Sequence, residues 1–391
     1  MNKADGTRFS RMTRAVPILV IAVTLLTSLS SRATPMDEWP VKFHPHLDLA
    51  ATYDDNILIS HSNVLSDVIF TLRPGLELDY GEAPHNHLSL DYTAGIERYV
   101  DHGSQDAVNH YVELKGVFNF SRLKLQIQDQ FADETAANVQ AGARVEEERN
   151  IAQLGTEYLL NKYFSAGLLL HTEYHHFVTP GQIDYNLYQP GVAWYYHALP
   201  KADVYGEFDY GWIDEQRGED RQLASGSMGL RGKITGKISG QIGVGYENLD
   251  YSGKTPSVDG VISSVSLHGD FTRHTSADLA ISRQINPSIT SQNDSYTSTR
   301  VDFTVIQKIY YEKFKATVGG SYERDEYDEP ISQTPKVTRD DDLWQAHAGI
   351  RYIARKWLEL GASYSYQWDH STVGTLSFQE NVVTLDALLR Y

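Results

Sequence analysis

The chain has 391 residues, with 34 Lys+Arg against 51 Asp+Glu, no Cys, and 25 Tyr, 13 Phe and 6 Trp. A net charge of −17 argues against nucleic acid as a partner, because binding phosphate needs clustered bases. The absence of Cys excludes disulfides, thiolate zinc sites and a Cys nucleophile, and the aromatic content argues against disorder.

The first segment reads as an address. Lys3, Arg8, Arg11 and Arg14 precede the apolar stretch Ala15–Leu29, and Ser31 and Ala33 give a small-x-small cleavage pattern. This is the pattern of a secretory signal removed after Ala33, with an uncleaved anchor as the alternative. The expected organisation is a leader at 1–33 and one domain at 34–391, exported by the general secretory route. Without the leader, 29 basic residues face 50 acidic ones, a net of −21. No other apolar run approaches the ~20 residues of a membrane-spanning helix.

From residue 40 onward the apolar residues recur at every second position. Val68, Phe70, Leu72, Leu76, Leu78 and Tyr80 alternate with Asp67, Thr71, Arg73, Glu77 and Asp79. Val204, Phe208, Tyr210 and Trp212 alternate with Asp203, Tyr205, Glu207 and Asp209, and Leu358 to Trp368 repeat the pattern. Strand side chains point alternately to two faces, so each segment has one apolar and one polar wall. Eighteen such segments follow in order, near 42–53, 67–80, 87–99, 109–120, 123–132, 150–160, 164–176, 186–196, 202–212, 222–232, 238–248, 261–271, 277–285, 296–309, 314–324, 343–352, 358–368 and 378–391. Sixteen is the alternative count. Most have ten to fourteen residues, long for soluble strands of about five or six and long enough for the ~9–11 of a tilted membrane-crossing strand.

The connections alternate between short turns and long loops. The long ones include Asp54–Ser66, Asp133–Arg149, Leu249–Gly260 and Asp325–Asp342. Aromatics on the apolar wall gather at the strand ends. Tyr80, Phe118, Phe120, Phe164, Tyr196, Phe271, Phe314, Tyr352 and Tyr391 sit beside short turns. Tyr53, Tyr174, Trp212, Tyr246, Trp344 and Trp368 sit beside long loops. Two belts at opposite ends fit the two lipid–water interfaces of a transmembrane barrel. The expected fold is therefore all-β, a single antiparallel up-and-down transmembrane β-barrel in the outer membrane. Two charges, Asp129 and Arg283, fall on its lipid wall and suggest a register error, a bulge or a position near an interface.

The last strand carries Val383, Leu385, Ala387, Leu389 and Tyr391 on its apolar wall. A terminal aromatic closing an alternating strand resembles the assembly signal of bacterial outer-membrane proteins, which the barrel-assembly machinery reads. At the other end, Ala51-Thr52-Tyr53-Asp54-Asp55-Asn56-Ile57 resembles the opening of the beta-barrel porin-2 family of Gram-negative bacteria. That resemblance would cover the whole mature chain. It implies outer-membrane location and architecture, a link in some members to exopolysaccharide genes, and polysaccharide export components as partners. It implies no active-site residues.

If the apolar wall meets lipid and lipopolysaccharide, the other wall lines the lumen. By parity nineteen acids face ten bases there, among them Arg73, Glu77, Asp79, Asp91, Glu113, Lys115, Asp203, Glu207, Asp209, Arg231, Asp302, Arg351 and Asp386. An eighteen-stranded barrel is wide enough for water, and carboxylate rings favour cations. The expectation is a passive pore or exopolysaccharide-associated transport component for polar solutes. The alternative is a structural or interaction barrel, plugged by Asp133–Arg149 or Asp325–Asp342 and acting through its outside loops. Tyr99, Tyr111, Tyr195 and Tyr205 are the inward aromatics on which a sugar would stack.

His171, Glu173 and His175 share one face at a spacing of ~6–7 Å, wide for joint chelation. They read as polar rim residues, with a zinc or copper site as the alternative. The acidic runs Glu146–Glu148, Asp325-Glu326, Asp328-Glu329 and Asp340–Asp342 read as solvated loop charge, with calcium or magnesium bridging to lipopolysaccharide as the alternative. No cofactor or resident metal is expected. No serine-hydrolase, phosphate-loop, zinc-protease or dinucleotide motif is present, so no enzymatic role is expected.

Overall fold

The computed structural model describes residues 41–81, 86–197, 199–216, 219–253, 255–290, 295–333 and 336–390. Eighteen strands run in chain order: β1 (Val41–Asp54), β2 (Asp67–Gly81), β3 (His87–Tyr99), β4 (Ala107–Asn119), β5 (Leu123–Asn138), β6 (Ala143–Asn161), β7 (Phe164–Phe177), β8 (Tyr185–Tyr196), β9 (Ala202–Glu215), β10 (Arg221–Lys233), β11 (Ile238–Tyr251), β12 (Val258–Asp270), β13 (Thr275–Pro287), β14 (Ser295–Ile309), β15 (Phe314–Gln333), β16 (Lys336–Arg355), β17 (Leu358–Ser371) and β18 (Phe378–Arg390). Each pairs antiparallel with its sequence neighbours, and β1 also pairs with β18, from His46 opposite Arg390 to Asp54 opposite Val382. The sheet closes on itself, which removes the unpaired edges that such long strands would expose.

All eighteen expected segments are strands, so the alternative of sixteen falls away. Two expected long loops do not exist as loops. Strand β5 continues to Asn138 and β6 starts at Ala143; β15 continues to Gln333 and β16 starts at Lys336. The reason is physical. Above the membrane neither wall of a hairpin meets hydrocarbon, so Asp133-Glu134-Thr135 and Arg324-Asp325-Glu326 carry no period-two signal. The backbone ladder continues regardless. The acidic runs Glu146–Glu148 and Asp340–Asp342 therefore lie in strands. The leader at 1–33 and Tyr391 lie outside the described residues.

One face of the barrel is apolar and open to its surroundings. Phe43, Phe70, Leu168, Phe208, Met228, Val318 and Leu385 are each more than half exposed, the outcome expected when lipid rather than protein covers them. Aromatic pairs mark its two ends. Phe164–Tyr196 (4.9 Å) and Phe314–Tyr352 (4.8 Å) stack at the short-turn end, while Tyr322–Trp344 (4.4 Å) and Tyr210–Trp212 (5.2 Å) meet at the outer end.

Asp129 and Arg283 do lie on this outward face, and no register shift surrounds either of them. Asp129 accepts a hydrogen bond from Asn150 Nδ2 at 2.6 Å. Through Ala152 and Thr172 it aligns one outward position below Tyr174 of the outer belt. Arg283 donates to Thr299 Oγ1 and faces Glu326 at 3.7 Å. Thr299 is opposite Arg324, beyond Tyr322. Proximity to the outer interface, not slippage, accounts for both charges.

Candidate functional site: the lumen and its covered outer mouth

The strand register that sends Phe208 or Leu385 outward sends the alternate residues inward. Arg73, Glu77, Asp79, Asp91, Glu113, Lys115, Asp203, Glu207, Asp209, Arg231, Asp302, Arg351 and Asp386 all stand on the inward face. Most are locked in ion pairs, some along one strand and others between strands. Asp79 meets His87 at 2.8 Å and His44 at 3.4 Å, and Asp91 meets His46 at 3.8 Å. Arg73 faces Asp48 at 3.4 Å, and Lys115 faces Glu113 at 2.7 Å. Arg231 bridges Glu157 (2.8 Å) and Asp203 (3.2 Å), Arg300 bridges Asp302 and Glu323 (both 2.8 Å), and Arg351 holds Asp386 at 2.9 Å. Glu77, Glu207, Asp209 and Glu247 stand apart: none is in an ion pair among the described residues.

The rest of the inward wall divides by chemistry. Strands β5, β6 and β8 carry amides, Gln126, Gln128, Gln130, Gln153 and Gln189. Strands β10 to β13 carry small residues, Ser225, Ser227, Gly229, Gly243, Ser264 and Ser282. Tyr205 lies flat against this strip, 2% exposed, because a Cβ at Gly229 or Gly243 would occupy its place. Its hydroxyl is hydrogen-bonded by Gln241 Nε2 at 2.8 Å. Of the inward tyrosines, Tyr195 is covered by the Arg231 guanidinium (3.6 Å) and Tyr99 by that of Arg144 (5.3 Å). Neither offers a free ring face to a sugar.

The outer end of the lumen is covered. Apolar residues take inward positions there: Tyr185, Leu187, Ile213, Leu223 and Leu249 pack with Val145, Phe177, Ile285 and Ile289. A second group joins Ile59 of the β1–β2 loop to Leu343, Phe378 and Val139. The tip of the β5–β6 hairpin lies across the mouth between them. Gln140 donates from Nε2 to Tyr296 Oη (2.6 Å) and accepts from the Ile289 N–H (3.3 Å). Arg339, 3% exposed, donates to the carbonyls of Gln140 (3.0 Å) and Val139 (3.4 Å). Asp341 (2.7 Å) and the Tyr327 ring (4.5 Å) hold Arg339 in place. Of the two segments that parity reasoning offers as plugs, the first does cross the mouth, as a hairpin tip, and the second supplies its anchor. Burial holds the Asp325 carboxyl, three residues beyond Tyr322 of the outer belt, up at about 7, with Glu323 adding to the effect.

Strand β13 helps to form the cover. Its pairing with β12 ends at Arg283, and the freed Ile285 N–H donates to Glu247 of β11 at 3.2 Å. Beneath the cover lies a cavity of ≈ 480 Å³, whose lining includes Glu247, Leu187, Leu223 and Ile285 together with Glu173, His175 and Arg300.

His171, Glu173 and His175 are brought together, but by each other. Glu173 meets His171 at 2.7 Å and His175 at 3.1 Å, and His175 meets Glu147 at 2.6 Å. Among the described residues no group of three or more His, Cys, Asp or Glu is arranged to hold a metal ion. The trio is a hydrogen-bonded row, not a chelate. Arg339, the inward aliphatic residues of the cover and the glutamine strip escape a sequence reading that follows charge. The available signal was aliphatic residues at inward-parity positions near the outer strand ends, as at Leu187, Ile213, Leu223 and Leu249.

A closed, even-stranded antiparallel barrel with an apolar outer wall, aromatic belts and a polar inner wall is an outer-membrane protein of porin type. The family model described as "Putative beta-barrel porin 2" matches residues 42–391, and the chain belongs to that family. Comparison with curated proteins gives no match. Among solved structures the chain is similar to Pseudomonas aeruginosa OpdK with vanillate, at 8% identity and a TM-score of 0.48, over 90% of this chain and 99% of that one. It is similar to Acinetobacter baumannii OccAB3 at 10% identity and a TM-score of 0.48, over 90% and 99%. It is also similar to the siderophore receptor PirA from Pseudomonas aeruginosa at 8% identity and a TM-score of 0.43, over 90% and 80%.

Proposed function

We propose that the barrel is a non-enzymatic diffusion channel for small polar solutes that prefers cations and whose outer mouth is shown in its covered state. The observation that carries this reading is the set of inward carboxylates Glu207, Asp209 and Glu247 on β9 and β11, without ion pairs among the described residues. Rings of uncompensated carboxylate favour cations over anions. The inward lysines that have no close carboxylate partner among the described residues, Lys42, Lys124, Lys233 and Lys315, lie at the opposite, inner rim. The test is a planar-bilayer recording across a KCl gradient. The reversal potential should report cation preference, and Glu207→Gln with Asp209→Asn should reduce it; an anion-selective or non-conducting barrel would overturn the reading.

A second reading, passage of a polysaccharide, is favoured by the amide strip, whose side chains both donate to and accept from hydroxyls. The covered faces of Tyr99 and Tyr195 give it less support, since saccharide stacking needs open rings. Under either reading, outer-membrane lipid and lipopolysaccharide meet the apolar wall. The strand carrying Val383, Leu385, Ala387 and Leu389 would address the chain to the assembly machinery after export.

A further inference from the structure

We propose that the cavity beneath the mouth cover is a binding site for a small organic amine, its ammonium on Glu247 and its apolar body against Leu187, Ile213, Leu223 and Ile285. The inference rests on the cation-preferring reading of the lumen and names the class of solute held there.

The cavity, ≈ 480 Å³, falls within the ~300–1,000 Å³ range of small-molecule sites. Glu247 lines it and is 7% exposed. Its carboxylate accepts one hydrogen bond, from the Ile285 N–H at 3.2 Å, and no cation is paired with it among the described residues. The aliphatic side chains of Leu223, Leu249 and Ile285 crowd the same end. A carboxylate in such surroundings is costly unless a cation joins it. The cations that line the cavity are engaged elsewhere: Arg149 with Glu134 (3.0 Å), Arg300 with Asp302 and Glu323 (2.8 Å each), and His175 with Glu147 and Glu173. An anionic ligand would meet no free base, and a neutral one would leave Glu247 uncompensated. An amine satisfies the carboxylate, sets its carbon skeleton on the aliphatic wall, and leaves Gln189 for a hydroxyl.

The test uses the purified barrel in detergent and three probes that share one ring: tyramine, the neutral tyrosol and the anionic 4-hydroxyphenylacetate. Calorimetry should show tyramine binding tighter than tyrosol by at least about tenfold, the usual scale of a charge-assisted contact, with no binding of the acid. Glu247→Gln should bring tyramine down to the level of tyrosol and leave tyrosol unchanged. Leu223→Lys, which supplies an ammonium diagonal to Glu247, should abolish tyramine binding in a barrel that still shows heat-modifiable gel mobility. Equal binding of tyramine and tyrosol, or undiminished tyramine binding by Glu247→Gln, would overturn the proposal. A cation-selective reversal potential together with either of those results would remove this site alone and leave the channel reading standing.

Discussion

Removing the Arg339 guanidinium should uncover the mouth. Its Nη1 donates to the Gln140 carbonyl at 3.0 Å and its Nη2 to that of Val139 at 3.4 Å, so one good and one long charge-assisted bond hold the β5–β6 tip. A hydrogen bond from a charged donor contributes about 1.5–3 kcal/mol, and about 2 kcal/mol for the two together allows for the long contact. That corresponds to a roughly thirtyfold shift between covered and uncovered states. Arg339→Met keeps the apolar stem against Tyr327 while removing the donors. Single-channel recording in planar bilayers is the assay, with the fraction of time in the conducting state as the readout. The variant should be open far more often than the parent at the same unitary conductance. Equal open fractions would show that Arg339 does not hold the cover, and a changed unitary conductance with equal open fractions would place its effect on the pore itself.

Three further outcomes follow from the geometry. A Cβ at Gly243 would collide with the Tyr205 hydroxyl, so Gly243→Ala should swing that ring off the wall into the lumen and lower the unitary conductance; an unchanged conductance would contradict this placement. Asp325 has a folded pKa of about 7 against an ordinary 3.8, so the folded barrel holds a proton that the unfolded chain releases between those values. Its contribution to stability is therefore full below about pH 4 and is lost as the pH rises through 7; Asp325→Asn should flatten this part of the pH dependence of urea unfolding, and an identical slope would refute it. Asp129→Leu should be neutral or stabilising by up to about 1 kcal/mol in lipid vesicles, because an acid on the lipid wall is disfavoured and only the Asn150 bond is lost; a loss above about 2 kcal/mol would mean that the pair has a partner there.

The barrel itself was legible because hydrocarbon on one side and water on the other impose a period of two on every strand, as in Val204 to Trp212. Where that contrast ends, legibility ends too. The outer halves of β5, β6, β15 and β16 read as loops because Asp133-Glu134-Thr135 and Asp340-Asp341-Asp342 are polar on both faces. Parity also placed Glu207, Asp209 and Glu247 inward, but it could not show which carboxylates lack partners, since Asp203 finds Arg231 from β10 and Asp302 finds Arg300 beside it. The cover was hidden for a different reason. It depends on contacts between residues nearly two hundred positions apart, such as Arg339 with Val139 and Gln140, and no local pattern encodes them. The row His171, Glu173, His175 was visible as a constellation, yet only the structure shows its members bonded to each other.

The exposed apolar face meets hydrocarbon while the opposite face meets water. Spin labels at Phe208 and Leu360 on the outer face, and at Ser264 on the inner one, test it in reconstituted vesicles through collision with oxygen and with a water-soluble nickel chelate. Oxygen should dominate at Phe208 and Leu360 and the chelate at Ser264. Immobile labels at Phe208 and Leu360, reached by neither reagent, would contradict it.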